Sequence, residues 1–159
     1  MARRVFFSFH YERDVWRAGQ IRNSWVTKPD RESAGFWDAA SWEEVKRKGE
    51  EAIKRWIDRQ LEGTAVTAVL IGSETADSKY VQYEIKKSWE IGNGLLGIYV
   101  HNLKDSNGRT DLKGKSPFDG YTFRRNDGVV TIATYDWAYN NGYANLGTWA
   151  ESAARQAGR

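Results

Sequence analysis

The sequence predicts an α/β domain: one mainly parallel, five-stranded sheet with helices on both faces. Three observations predict it. Segments of strand and helix character alternate along the chain, the order that builds parallel sheets with crossover helices. The run Thr64-Ala65-Val66-Thr67-Ala68-Val69-Leu70-Ile71 is uncharged and rich in β-branched residues, as a strand buried on both faces requires. The chain has 159 residues, a usual size for one domain, and shows no internal repeat and no linker. We therefore expect a single domain over 1–159.

The elements follow in order. Arg4 to Phe9 is a short aromatic and aliphatic run that suits a buried first strand. Val15, Ala18, Ile21 and Trp25 recur at helical spacing over 13–26, and Pro29 and Asp30 stop that helix. Residues 29–35 read as a loop, and Gly35-Phe36-Trp37-Asp38 as a brief second strand at a sheet edge. Ser41 is the expected N-cap of a helix running to about Leu61, with Glu43 and Glu44 in its first turn. Ile53, Trp56, Ile57 and Leu61 form its apolar face, and Gly63 ends it.

The central run at 64–71 is the third strand. A helix from about Lys79 to Ile91 follows, capped by Asp77 or Ser78, with Val81, Ile85 and Trp89 on its buried face. Leu95 to Val100 is the fourth strand. Residues 102–127 are polar and Gly-rich and read as a long functional or mobile loop. Val129 to Ala133 is the expected last strand, and 143–157 a closing helix. The flavodoxin-like strand order 2-1-3-4-5 fits this succession. Most of the eight Trp are expected in the core.

Composition excludes several chemistries. The chain has no Cys, which removes disulfides, Cys-ligated zinc, iron–sulfur clusters and thiol catalysis. No segment approaches the ~20 apolar residues of a membrane helix, and the N-terminus lacks a signal-peptide core. A cytoplasmic, soluble protein without membrane partner is expected. The net charge is +3, but bases alternate with acids, as in Glu43-Glu44-Val45-Lys46-Arg47-Lys48-Gly49-Glu50-Glu51. That pattern reads as a solvated helix face, and no nucleic-acid partner is expected. The two histidines come without a third-ligand pattern, so no metal site is expected.

Gly92-Asn93-Gly94-Leu95-Leu96-Gly97 matches the G-x-G-x-x-G dinucleotide pattern in letters alone. The true fingerprint follows a strand and opens a helix, whereas these glycines follow a helix and lead into a strand. A helix C-cap and turn is the better reading. A phospho-accepting receiver needs an Asp after the central strand, where this chain has Ile71-Gly72-Ser73. A flavodoxin needs a Gly- and hydroxyl-rich loop after strand one, where this chain has Ser8-Phe9-His10-Tyr11-Glu12. No Walker A sequence occurs.

Open parallel sheets bind ligands beyond the carboxyl ends of their strands, where strand order reverses. That edge collects Ser8, Phe9, His10 and Tyr11, then Asp38, then Ser73, Glu74 and Thr75, then His101 and Asn102. In the helix that follows strand three, Tyr80 and Glu84 lie four apart and share a flank beside the apolar face. Glu84 is thus placed near the helix start, partly shielded and turned toward the strand ends. A carboxylate there is a candidate active-site group, or else an ordinary flank glutamate.

Val5-Phe6-Phe7-Ser8-Phe9-His10 resembles the first-strand box of Toll/interleukin-1-receptor (TIR) domains. Tyr80-Val81-Gln82-Tyr83-Glu84 stands in the place of that family's Trp-Cys-x-x-Glu segment, with only the Glu and its spacing kept. The chain is more closely similar to the TIR-like ThsB branch of the bacterial Thoeris anti-phage system. The stretches that carry the likeness are Ser8-Phe9-His10-Tyr11 with Asp14-Val15-Trp16-Arg17, Gln20 to Trp25, Ala34 to Asp38, Ile53 to Ile57, Thr67 to Gly72, Tyr83 to Ser88 and Gly94 to Asn102. They cover roughly 4–102.

The resemblance implies a TIR-like three-layer fold and a cytoplasmic role in antiviral defence. It implies an NAD glycohydrolase or cyclase, silent until a phage-derived trigger arrives, that makes a cyclic ADP-ribose-type messenger for a separate effector protein. It makes Glu84 the catalytic residue. Phe7, Ser8, Phe9, His10, Asp38, Tyr80, His101 and Asn102 are the expected substrate-binding residues. Of Phe7 and Phe9, one is expected to stack on an aromatic ring of NAD and the other to be core. NAD is expected as substrate, with no retained cofactor. A homo-oligomer is possible, and a non-catalytic interaction module, favoured by exposed Trp and Tyr over 102–145, is the competing reading.

Overall fold

The computed structural model describes residues 3–28, 31–34, 39–126 and 128–159. Its main sheet has five parallel strands in the order β2-β1-β3-β4-β7, the spatial order expected. The strands are β1 (Arg3–Ser8), β2 (Arg31–Ala34), β3 (Val66–Ile71), β4 (Gly94–Tyr99) and, further along, β7 (Ala133–Asp136). The helices are α1 (Tyr11–Val26), α2 (Ala39–Lys48), α3 (Glu50–Leu61), α4 (Lys79–Glu90) and α5 (Gly142–Gln156). A short antiparallel pair, β5 (Phe123–Arg125) and β6 (Gly128–Val130), stands apart from the main sheet.

Four expectations need correction. The second strand lies at Arg31–Ala34, earlier in the chain than expected; 35–38 fall outside the described residues. It is polar because it is an edge strand tied down from one side: Trp25 Nε1 donates to the Glu32 carbonyl at 2.8 Å. The helix expected from Ser41 to Leu61 is two helices, and Ser41 lies within the first. Gly49, at φ +96°, occupies a conformation open to glycine and hostile to other residues, so the chain turns there. The apolar run at 129–133 is shared between β6, in the hairpin, and β7, in the main sheet. Finally, of the seven described Trp, only Trp25, Trp42 and Trp149 are buried; Trp56, Trp89 and Trp137 pack half-buried against the core, and Trp16 is 58% exposed.

Alternation along β1 sorts the core. Val5, Phe7 and Phe9 pack with β3, β4, α1 and α5 on one face of the sheet. Phe6 packs on the other face with Trp42 of α2 and Ile53, Ile57 and Leu61 of α3. Val81 and Ile85 of α4 pack beside them on Val69, Ile71 and Leu95, where Phe118 and Phe123 complete the cluster. Residues two apart in a strand share a face, so Phe7 and Phe9 do not part as expected: both rings join the α1/α5 side, and Ser8 points to the α4 side.

The glycines of the G-x-G-x-x-G match serve packing. Gly92 turns the chain after α4 at φ +85°. A Cβ on Gly94 would stand 2.1 Å from the Ala153 carbonyl oxygen of α5. One on Gly97 would stand 2.8 Å from the Phe118 ring.

Candidate active site

β1 ends at Ser8, and α1 begins at Tyr11 with His10 as N-cap; the Arg13 amide donates to His10 Nδ1 at 3.3 Å. α4 begins at Lys79, capped by Ser78, whose hydroxyl accepts from the Val81 amide at 3.3 Å. Both helix starts therefore meet at the carboxyl edge of the sheet, where strand order reverses between β1 and β3. α2 lies over the gap. The resulting cavity of about 210 Å³ is lined by Phe7, Phe9, His10, Tyr11, Glu12, Trp42, Lys46, Ile53, Ile57, Ser78, Tyr80 and Glu84.

Glu84 is the cavity's buried carboxyl group. It is 6% exposed and accepts a 2.8 Å hydrogen bond from the Ser8 hydroxyl. Burial pushes its carboxyl up to about 8, and among the described residues only the Ser8 bond opposes this. No cation among the described residues shares in the shift. A carboxyl so placed is mostly neutral at pH 7 and is drawn into its ionised form by positive charge brought into the cavity.

An aromatic wall faces the opening. The Tyr11 and Trp42 rings stack at 4.8 Å with planes 26° apart, and Tyr80 meets Trp42 edge-on at 6.5 Å. Lys46 Nζ donates to Glu12 Oε1 at 2.9 Å across the mouth. Such a site offers ring surfaces for flat groups, one buried carboxyl group and one ammonium at the mouth.

Of the residues expected from sequence, Phe7, Phe9, His10, Tyr80 and Glu84 line this cavity, and Ser8 bonds to Glu84. Asp38 lies outside the described residues. His101 and Asn102 open the segment after β4 and are not among the lining residues. His101 is buried, with its ring edge-on to Tyr99 and Nδ1 unpartnered among the described residues. Phe7 and Phe9 line the cavity while also joining the core beneath α1 and α5, and Tyr11, Trp42 and Tyr80 add three further rings to its wall. Sequence reasoning missed Glu12, Trp42 and Lys46 as cavity residues. Glu12 was legible from its position four residues after Ser8, in the first turn of α1. Trp42 and Lys46 were hidden by reading 41–61 as one straight helix; Gly49 was the signal.

Among described residues no group of three or more His, Asp or Glu has the arrangement to hold a metal ion, and none of the helices is long and apolar enough to cross a membrane.

Residues 6–105 match the family model described as Thoeris protein ThsB, TIR-like domain. A protein of Bacillus cereus (strain MSX-D12) named "Putative cyclic ADP-D-ribose synthase ThsB1" is 43% identical over 138 residues, which span 86% of this chain and 72% of that one. Among solved structures, the TIR domains of the activated Roq1 resistosome, which directly recognises the pathogen effector XopQ, align at TM-score 0.41 with 16% identity, over 62% of this chain and 57% of that one. The family match over residues 6–105 and the 43% identity together show the family: the chain belongs to the TIR-like family of Thoeris ThsB proteins.

Proposed function

We propose that this chain is an anti-phage defence enzyme that, on infection, cleaves NAD between nicotinamide and ribose and forms a cyclic ADP-ribose-type messenger for a separate effector. The observation that carries this reading is Glu84: a buried carboxyl, held by Ser8 and unpaired with any cation among the described residues, that lines the cavity at the switch point of the sheet. The likeness to the Bacillus cereus protein named for cyclic ADP-ribose synthesis supports it.

The chemistry follows from that carboxyl. NAD carries a positive pyridinium ring, and its entry lowers the cost of ionising Glu84, which releases a proton at neutral pH. The bond from ribose C1′ to the pyridinium nitrogen then breaks, its electron pair leaving with neutral nicotinamide. Positive charge passes to the ribose as an oxocarbenium-like centre. A preorganised Glu84 anion stabilises that charge. A nucleophile at the adenosine end attacks C1′ and closes the ring; where it is a hydroxyl, its proton passes to Glu84. The Tyr11, Trp42 and Tyr80 rings pack the flat ends of the substrate and exclude the water that would divert the reaction to hydrolysis. NAD is substrate throughout, and no resident cofactor takes part.

A second reading, assembly through aromatic contacts, has Tyr139 and Tyr143 in its favour, 83% and 66% exposed. Mass spectrometry of nucleotides from cells carrying the wild type or Glu84→Gln, before and after phage infection, separates the two. The enzyme reading expects an NAD-derived nucleotide from the wild type alone, after infection alone. Protection by both chains without product from either supports assembly.

A further inference from the structure

We propose that Lys46 is the cation that receives the phosphates of the substrate in this cavity, and that Glu12 occupies it until substrate arrives. The inference rests on the NAD reading and assigns the substrate's charged middle to a residue.

A dinucleotide brings two negative phosphates. Among the described residues the cavity wall carries two carboxyl groups, Glu12 and Glu84, and Lys46 is the one Lys or Arg that lines it. Among the described residues no Gly-rich loop lines the cavity to offer a backbone cradle. Without a cation, a pyrophosphate entering there would meet repulsion from any ionised carboxylate.

Lys46 is placed for the task. It lies one turn after Trp42 on α2, so the ammonium and the stacking ring share a helix face. Its side chain is 51% exposed, so the ammonium stands toward the mouth, while Glu84 is buried within. That order matches the order of groups in NAD: ribose at the buried carboxylate, phosphates outward. The four-carbon stem of a lysine lets the ammonium change partner.

The partner it would leave is Glu12, in the first turn of α1, across the mouth at 2.9 Å. The bond joins α1 to α2 over the opening. The pair Lys48–Glu44, at 3.4 Å on α2 alone, is not among the residues lining this cavity and shows what an ordinary surface pair looks like on the same helix. Because Glu12 competes with phosphate for the same ammonium, the two residues have opposite effects on binding. Lys46 is a substrate-binding residue; Glu12 is a positioning residue that acts through it.

The test is calorimetric titration of NAD and of nicotinamide riboside, which lacks phosphates, into the Glu84→Gln chain, alone and with Lys46→Met, Lys46→Arg or Glu12→Gln added. Lys46→Met is expected to weaken NAD binding about tenfold, the scale of one lost charge-assisted bond, and to leave the riboside unchanged. Lys46→Arg keeps most of the NAD affinity. Glu12→Gln tightens NAD severalfold and does nothing to the riboside. Unchanged NAD binding in Lys46→Met, or an equal loss for both ligands, overturns the inference and leaves the NAD reading standing. NAD binding by none of the chains overturns both.

Discussion

Two buried carboxyls lie near the carboxyl edge of the sheet, and their surroundings differ in one respect. Asp14, on α1, is fully buried, and its Oδ1 accepts from Arg17 Nη1 at 2.9 Å. Burial pushes its carboxyl up, and Arg17 partly offsets that. Arg17 in turn donates to the Leu103 carbonyl at 2.7 Å and the Arg109 carbonyl at 2.9 Å, pinning the segment after β4 onto α1. Glu84 is as deeply set, yet it has a hydroxyl for a neighbour and a cavity before it. An acid matched to a cation inside the protein is spent on structure. An acid with no cation is left to answer charge that comes from outside.

Nearby ion pairs sharpen the contrast. Arg13 reaches Asp111 at 2.6 Å and Glu74 at 3.0 Å, and Ser73 donates to Asp111 at 2.8 Å. Burial opposes the charge on Asp111, but the Arg13 guanidinium, the Leu112 amide and the Ser73 hydroxyl outweigh it and hold the carboxyl at about 2. Asp111 is therefore an anion that ties part of the long 102–127 segment, expected as a functional or mobile loop, to α1 and to Ser73 just after β3.

If the contrast is real, the largest stability effect falls on the Asp14 side. Arg17→Met removes the partner of a buried carboxyl and the donor of two loop carbonyls. The expected loss is about 3–5 kcal/mol, read by urea denaturation. A loss under about 1 kcal/mol, the range of an exposed pair, would erase the distinction between the two acids.

The next effect is on Glu84 and has the opposite sign. Its folded-state carboxyl sits near 8, above the unfolded value near 4.3. Between those two pH values the folded chain holds a proton that the unfolded chain has lost. Stability therefore falls as pH rises through that window, by up to about 1.4 kcal/mol per unit. Glu84→Gln, which mimics the neutral acid, is expected to match the wild type near pH 4.5 and to exceed it by a few kcal/mol at pH 8.5. Melting curves across that range check this, and a constant gap contradicts it.

The third effect is kinetic. In the triggered enzyme kcat/KM, which reports free protein, should rise with pH up to about 8. The kcat profile should level off at lower pH, because bound pyridinium favours the Glu84 anion. The smallest effect is that of Ser8→Ala. Losing that hydroxyl removes a bond that favours the anion, so the kcat/KM profile moves to higher pH, by about one unit or less. Stability should drop by only about 1 kcal/mol.

The sequence made much of this legible, for physical reasons. β3 is buried on both faces, so every residue had to be apolar or small, and the run at 64–71 showed it. Glu84 stood out because α4 has a regular apolar face that fixes where its flank points. What stayed hidden depended on partners distant in sequence. Arg31-Glu32-Ser33-Ala34 has no strand character of its own; it pairs because β1 offers an edge and α1 supplies Trp25. Residues 128–136 feed two different sheets, and propensity cannot choose between two ladders. Gly49 sits between two helix-forming stretches, and the turn it permits brings Trp42 and Lys46 to the cavity. The match at 92–97 imitated a ligand motif because close packing of helix on strand also demands missing side chains.

The most direct test is the titration of Glu84 itself. The carboxyl ¹³C resonance present in the wild type and absent in Glu84→Gln can be followed against pH, free and with a carbocyclic NAD analogue that keeps the pyridinium but cannot lose it. The predicted result is a midpoint near 8 in the free chain that falls by about one unit or more on binding. A midpoint near 4.3, indifferent to the ligand, would contradict the account.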